Sequence, residues 1–174
     1  MDKKRALSHF IKGRILQESG KLKASNLSYS TYITLEKKDP SSKFFRKAKF
    51  YLSLNYLKLR HFDEALHLYQ FRHEEATLKI YDCLPKWEIS IETGNVLIWA
   101  EQGLGDEIFF ARFLPLLKKY RATFYLECDK RLHEIIKYNN PNLKLLDRKI
   151  IQDFKKFDFQ IAFGDLFALF SEHI

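Results

Sequence analysis

The stretch Val96-Leu97-Ile98-Trp99-Ala100-Glu101-Gln102-Gly103-Leu104-Gly105-Asp106 decides how the second half of this 174-residue chain folds. Val96 to Ala100 is an unbroken apolar run with β-branched and aromatic members, the pattern of a buried parallel strand. The glycine turn that follows leads into an apolar-periodic helix predicted from about Glu107 to Lys119, with Pro115 expected to kink it by removing one backbone donor. Downstream, Thr123 to Leu126 reads as a second strand and Lys130 to Tyr138 as a helix ending before Pro141. Leu143 to Leu146 and Phe157 to Phe163 read as third and fourth strands. Strands alternating with helices imply βαβ units and a parallel sheet.

In such sheets ligands bind beyond the carboxyl ends of the strands, which is where Gly103 to Asp106 falls. Glycines there admit positive φ or the close approach of a ligand, and a helix beginning at the turn presents unpaired N–H groups. A P-loop is excluded because no Gly-Lys-Ser/Thr follows. A dinucleotide fingerprint is half met: Glu127 lies 22 residues past Gly105, but Ile108 holds the third glycine position. Asp106 also sets a carboxylate where a pyrophosphate would sit, and like charges about 4 Å apart cost roughly 4 kcal/mol at an effective protein dielectric. Two readings of Asp106 stay open, a helix N-cap and a general base aimed into a cleft.

Upstream of this half, residues 81–94 read as a connector punctuated by Pro85 and Gly94, and residues 4–80 as helix. The helical part is broken at Asp39-Pro40-Ser41-Ser42 and again at Arg60-His61-Phe62, where Asp63 is a candidate N-cap. A shift of 40 residues lays Phe10 on Phe50, Gly13 on Ser53, Leu16 on Tyr56, Leu22 on Phe62, Ser25 on Ala65 and Tyr29 on Tyr69. Small residues that let helices approach, alternating with aromatics that fill the groove, resemble the tetratricopeptide repeat, although its usual period is about 34. Two helix pairs leave apolar faces open and call for a cap, since about three repeats are normally needed to bury a continuous core. The expected division is a repeat domain at 1–80, a connector at 81–94 and an α/β domain at 95–174.

Charge is divided the same way. Residues 1–80 carry 17 Lys and Arg against 8 Asp and Glu, a net of +9, whereas residues 81–174 carry 13 against 14, a net of −1. The basic half is suited to a polyanion, an acidic glycan or an anionic membrane surface. Nucleic acid is not expected, because no recognition signature accompanies the basicity. Two cysteines, Cys83 and Cys128, are too few for a disulfide framework and fit a reducing compartment. No apolar run approaches the ~20 residues of a membrane span, and the first residues lack a signal-peptide core. A cytoplasmic protein, peripheral at most to the inner membrane, is the expectation. His9, His61, His67, His73, His133 and His173 show no metal-ligand spacing, and His133 with Glu134 reads as an exposed helix face.

The string from Trp99 to Leu117, with Glu101-Gln102-Gly103-Leu104-Gly105-Asp106 at its centre, resembles the signature of bacterial tetratricopeptide-repeat glycosyltransferase-like proteins, relatives of the lipopolysaccharide heptosyltransferases. Tyr69-Gln70-Phe71-Arg72, Leu84-Pro85-Lys86-Trp87 and Phe157-Asp158-Phe159 are similar to that family's last-repeat, connector and fourth-strand segments. The resemblance implies helical repeats followed by a partial Rossmann-like α/β unit, the amino-terminal domain of a GT-B, inverting and metal-independent glycosyltransferase. It implies that Asp106 is the base that takes the proton from an acceptor hydroxyl, which would require a closed cleft to raise its pKa from about 3.9. Glu101, Gln102, Gly103, Gly105 and Arg112 would line the acceptor side. Glu101 and Gln102 serve equally well as backbone hydrogen-bonders of the loop, and Arg112 as a surface ion-pair partner. No cofactor is expected on these residues, because the nucleotide-sugar belongs to a carboxyl-terminal donor domain beyond the fourth strand. The expected partners are a glycan or protein acceptor, and either a donor-domain polypeptide or a protein bound by the repeats. The alternative expectation is a non-enzymatic interaction module.

Overall fold

The computed structural model describes residues 3–36, 42–73, 80–101, 103–148 and 153–173. The chain forms two compact units, Met1–His73 and Glu74–Ile174.

The first unit is two helical hairpins: α1 (Lys3–Glu18) with α2 (Leu22–Leu35), and α3 (Lys43–Lys58) with α4 (Phe62–Tyr69). The 40-residue offset is visible in the backbone, where α1 and α3 start at 3 and 43 and end at 18 and 58. Both hairpin turns place a residue in the left-handed region at the same repeat position, Gly20 at φ 73° and Arg60 at φ 60°. Pro40 lies outside the described residues. Asp63 falls within the first turn of α4, and His61 is the N-cap, because the left-handed Arg60 turns the chain so that helical geometry begins at Phe62.

Packing explains the small residues. A Cβ built on Gly13 would lie 2.6 Å from Tyr29 Cε1, so the buried Tyr29 ring sits directly on the α1 backbone. Ser25 Oγ donates to Gly13 O at 2.8 Å, and Ser53 and Ala65 at the matching places of the second hairpin are fully buried. Ala6, Phe10, Tyr29, Tyr32, Ala48 and Leu52 form one core. Within it lies a polar network. Buried Asn55 donates to Ser25 Oγ and Asn26 Oδ1 and accepts from Gln17, whose other amide atom accepts the Tyr29 hydroxyl. Every member is paired, so the network fixes the register of α1, α2 and α3 without orphaned polar atoms.

The second unit holds a four-stranded parallel sheet: β1 (Asn95–Trp99), β2 (Thr123–Cys128), β3 (Lys144–Asp147) and β4 (Phe159–Ala162), in spatial order β3-β2-β1-β4. Its helices are α5 (Leu104–Ala111), α6 (His133–Asn139) and α7 (Asp165–Leu169). β2 runs two residues past the expected Leu126, because Glu127 and Cys128 pair with Leu146 and Asp147. Leu97 and Trp99 project to one face, where Tyr81 stacks on Trp99 at 4.3 Å. Phe124 and Leu126, on the alternate face of β2, are buried, and Trp87 meets Phe124 edge-on.

Three expectations change. The helix predicted over Glu107–Lys119 begins at Leu104 and ends at Ala111, and a 3-10 segment, Leu114–Lys119, replaces the kinked half. Pro115 sits in the first turn of that segment, where its missing N–H costs nothing. Residues 85–87, expected as connector, are hydrogen-bonded along β4: Trp87 N donates to Gln160 O, and Gln160 N to Pro85 O. His133 is half-buried with Nε2 3.6 Å from Asp147 Oδ1, while Glu134 is exposed.

Candidate functional site at the carboxyl edge of the sheet

The chain leaves β1 toward β2 on one side and returns as β4 on the other, so the carboxyl ends of β1 and β4 are where the strand order reverses. That is the topological switch point of an open parallel sheet, and the Gly103 to Asp106 turn lies at it.

Buried carboxylates organise this edge. Glu101 is buried, and its Oε1 accepts the Gly164 N–H at 2.8 Å, joining the loop after β1 to the loop after β4. The backbone that Glu101 bonds is that of the loop after β4. Glu107, fully buried on α5, accepts the Asp129 N–H at 2.8 Å and Arg148 Nη1 at 3.0 Å. One carboxylate therefore holds α5 to the loops after β2 and β3. Burial is the largest influence on Glu107 and raises its pKa above the ordinary carboxylate value, while the Asp129 amide and Arg148 oppose it. Asp129 is gripped at both oxygens by Arg131, at 2.9 and 2.7 Å, which holds its carboxyl well below the usual range. Cys128, buried beside Glu107, Asp129, Glu127 and Asp147, has its thiol pushed up to about 12, first by burial and then by those charges. Glu127, the residue a ribose would need, is buried and accepts the Tyr81 hydroxyl at 3.0 Å.

Asp106 occupies the third position of α5, after Gly103 as N-cap, and its Oδ2 accepts the Gly103 N–H at 3.2 Å. The carboxylate thus caps its own helix from within, in half of a capping box. Gly103 is extended at φ −106°, and neither Gly103 nor Gly105 uses the positive φ that glycine admits. A Cβ on Gly105 would meet nothing within 4 Å, and one on Gly103 would meet only Asp106 Oδ2, at 3.8 Å. The space over both glycines is open. Gln102 lies outside the described residues.

Arg112 does not join this group. It caps the far end of α5, six residues and about 9 Å along the axis from Asp106. Its guanidinium lies 5.5 Å from the Phe109 ring centre and 5.7 Å from that of Phe113. Phe109, in sequence one more apolar residue of the helix, is 43% exposed one turn beyond Asp106, its ring edge-on to Phe167. Among the described residues no group of three His, Cys, Asp or Glu side chains is placed to hold a metal ion, and no helix is long and apolar enough to cross a membrane.

Compared with family models, curated proteins and solved structures, the chain finds no match in any of the three.

Proposed function

We propose that this chain is the acceptor-side half of a glycosyltransferase-like protein, able to bind a glycan acceptor over Gly103–Asp106 and to transfer sugar only when a donor domain supplies the nucleotide-sugar. The open space over Gly103 and Gly105 at the switch point carries this reading. Neither backbone angle nor packing requires glycine at 105, and glycine within a helix costs about 1 kcal/mol against alanine. A ligand approaching the backbone supplies the missing reason. Asp106 beside it would accept the proton of an acceptor hydroxyl as that oxygen attacks the anomeric carbon and the nucleotide leaves from the opposite face. The exposed Phe109 ring offers an apolar surface for a sugar's C–H face.

Binding is the better supported part of this reading. Asp106 has one oxygen on the Gly103 amide, and the described cavity opens at the other edge of the sheet, so the carboxylate sits on an open lip. Those observations favour a second reading, a non-enzymatic interaction module. The exposed α1 stripe Leu7, Ile11 and Ile15, bordered by Lys12 on the basic unit, offers such a module an acidic partner.

Immobilised glycans separate the two. The chain is expected to be retained by a subset of them and Gly105→Val to lose retention without a fall in melting temperature, while Asp106→Asn keeps binding and loses transfer in the donor-complemented protein. Retention by no glycan, or equal retention of Gly105→Val, sinks the acceptor reading. Salt-sensitive binding to anionic vesicles with no glycan retention establishes the module.

A further inference from the structure

The 40-residue offset that relates the two hairpins of the first unit also relates one covered face to one open face. On α3, Ala48, Tyr51, Leu52 and Asn55 form a stripe at helical spacing that packs on the first hairpin. Ala48 and Asn55 are fully buried and Leu52 nearly so. The Tyr51 ring lies 6.1 Å from that of Phe10 and 6.0 Å from that of Tyr29, and its carbonyl accepts Gln17 Nε2 at 3.2 Å. The same stripe 40 residues earlier is Ser8, Ile11, Lys12 and Ile15 on α1, and all four are exposed, Ile11 at 51% and Ile15 at 59%.

Stacked helical hairpins bury such a face on the hairpin before it, as α3 does on α1 and α2. The occupant that the repeat geometry fits to α1 is therefore another helical hairpin. Two exchanges define its chemistry. Ile15 stands where Asn55 hydrogen-bonds Ser25 and Asn26, so apolar contact replaces the amide network. Lys12 stands where Leu52 is buried, and an occupant seated as closely must bring a negative charge, because covering an ammonium without a partner is costly. Residues 3–36 carry seven Lys and Arg against two Glu, so a second copy of this hairpin would meet like charge across the face. A lipid surface is also anionic, but on α3 it is helices that cover the equivalent stripe.

We propose that Ser8, Ile11, Lys12 and Ile15 dock a helical hairpin of an acidic partner protein. Its apolar side chains seat on Ile11 and Ile15, exposed Leu7 extends that contact by one turn, and a carboxylate meets Lys12. This docking rests on the interaction-module reading, whose partner it specifies, and shares no residue with the Gly103 turn.

Two designed, fluorescently labelled helical hairpins serve as probes, alike in an Ala/Leu packing face and carrying either Glu or Lys at the flanking positions. Their anisotropy is followed as the whole chain is added at about 0.15 M salt. The Glu hairpin is expected to bind saturably and about ten-fold tighter than the Lys hairpin. Ile11→Ser with Ile15→Ser, both at exposed positions, should weaken it about ten-fold while the thermal melt stays in place. Lys12→Glu should cut the preference roughly three-fold further than Lys23→Glu, an equal change of charge on exposed α2 surface off the stripe. No binding of the Glu hairpin, equal affinity for the two, an unchanged affinity in the isoleucine variant, or equal effects of the two lysine changes overturns the proposal. Self-association of the chain in sedimentation that the isoleucine variant abolishes overturns it in favour of a second copy. Salt-sensitive binding to anionic vesicles with neither hairpin bound overturns it and leaves the module reading standing.

Discussion

Arg148 donates to Glu107 at 3.0 Å across the carboxyl edge of the sheet, and Glu107 is fully buried while Arg148 is partly open to solvent. The pair is unequal: the carboxylate depends on the guanidinium far more than the reverse. Among the described residues, removing Arg148 leaves a buried charge with the Asp129 amide as its one remaining hydrogen-bond donor. Arg148→Met is expected to cost about 3–5 kcal/mol at neutral pH, read from chemical denaturation.

The same carboxylate sets a pH dependence. Its folded-state pKa is raised, so the folded protein holds this proton more tightly than the unfolded chain does. Glu107 therefore imposes no ionisation cost below its unfolded pKa of about 4.3, and the cost grows as pH rises toward its folded value. The stability of wild type relative to Glu107→Gln should fall across that interval and level off above it. A flat difference from about pH 4 to 8 would show that the site is less desolvated than its burial implies.

Cys83 is exposed and Cys128 is buried with its thiol pushed up to about 12. A thiol reagent at about pH 8 is expected to modify one cysteine promptly and the second only on unfolding, because the thiolate is the reacting species. Peptide mapping should place the first label on Cys83. Early labelling of Cys128 would mean that the β2–β3 edge opens in the native state.

Gly13 has no room for a methyl group, since Tyr29 carbons lie 2.6 and 2.7 Å from where its Cβ would stand. Gly13→Ala should destabilise the helical unit by about 1–3 kcal/mol, and adding Tyr29→Leu should recover part of the loss. Thermal melts followed by circular dichroism measure both.

At Arg60 the sign reverses. Its φ of 60° is a left-handed conformation that costs an L side chain about 1–2 kcal/mol, and Gly20 holds the equivalent turn at no such cost. Arg60→Gly is expected to raise stability by up to about 1 kcal/mol, less than the full strain because glycine also gains freedom in the unfolded chain. Gly20→Ala should move the melt the other way.

Much of the architecture is legible in the sequence because it is written in spacing. The 40-residue offset shows in Phe10 and Phe50, Gly13 and Ser53, Tyr29 and Tyr69, and the helices repeat at that interval. The change of period at Val96 marks β1, and the four expected strands lie within two residues of those observed at each end. The carboxyl edge is less legible because its chemistry runs through burial, which spacing does not record. Glu107 looks like an ordinary acidic residue early in a helix, yet it is the hub of that edge, and Glu127 spends its carboxylate on Tyr81. Arg112 is near the turn in sequence, and helical rise carries it away in space. The Gln17–Asn55 bond joins residues 38 apart, a pairing that no local spacing shows.

The Glu101–Gly164 bond is a latch between the loop after β1 and the loop after β4. To wedge between the two loops, an incoming molecule must hand the Gly164 amide a replacement acceptor and offer the displaced carboxylate a donor in exchange. Breaking it without such an exchange would deprive a buried carboxylate and a backbone N–H of this partner.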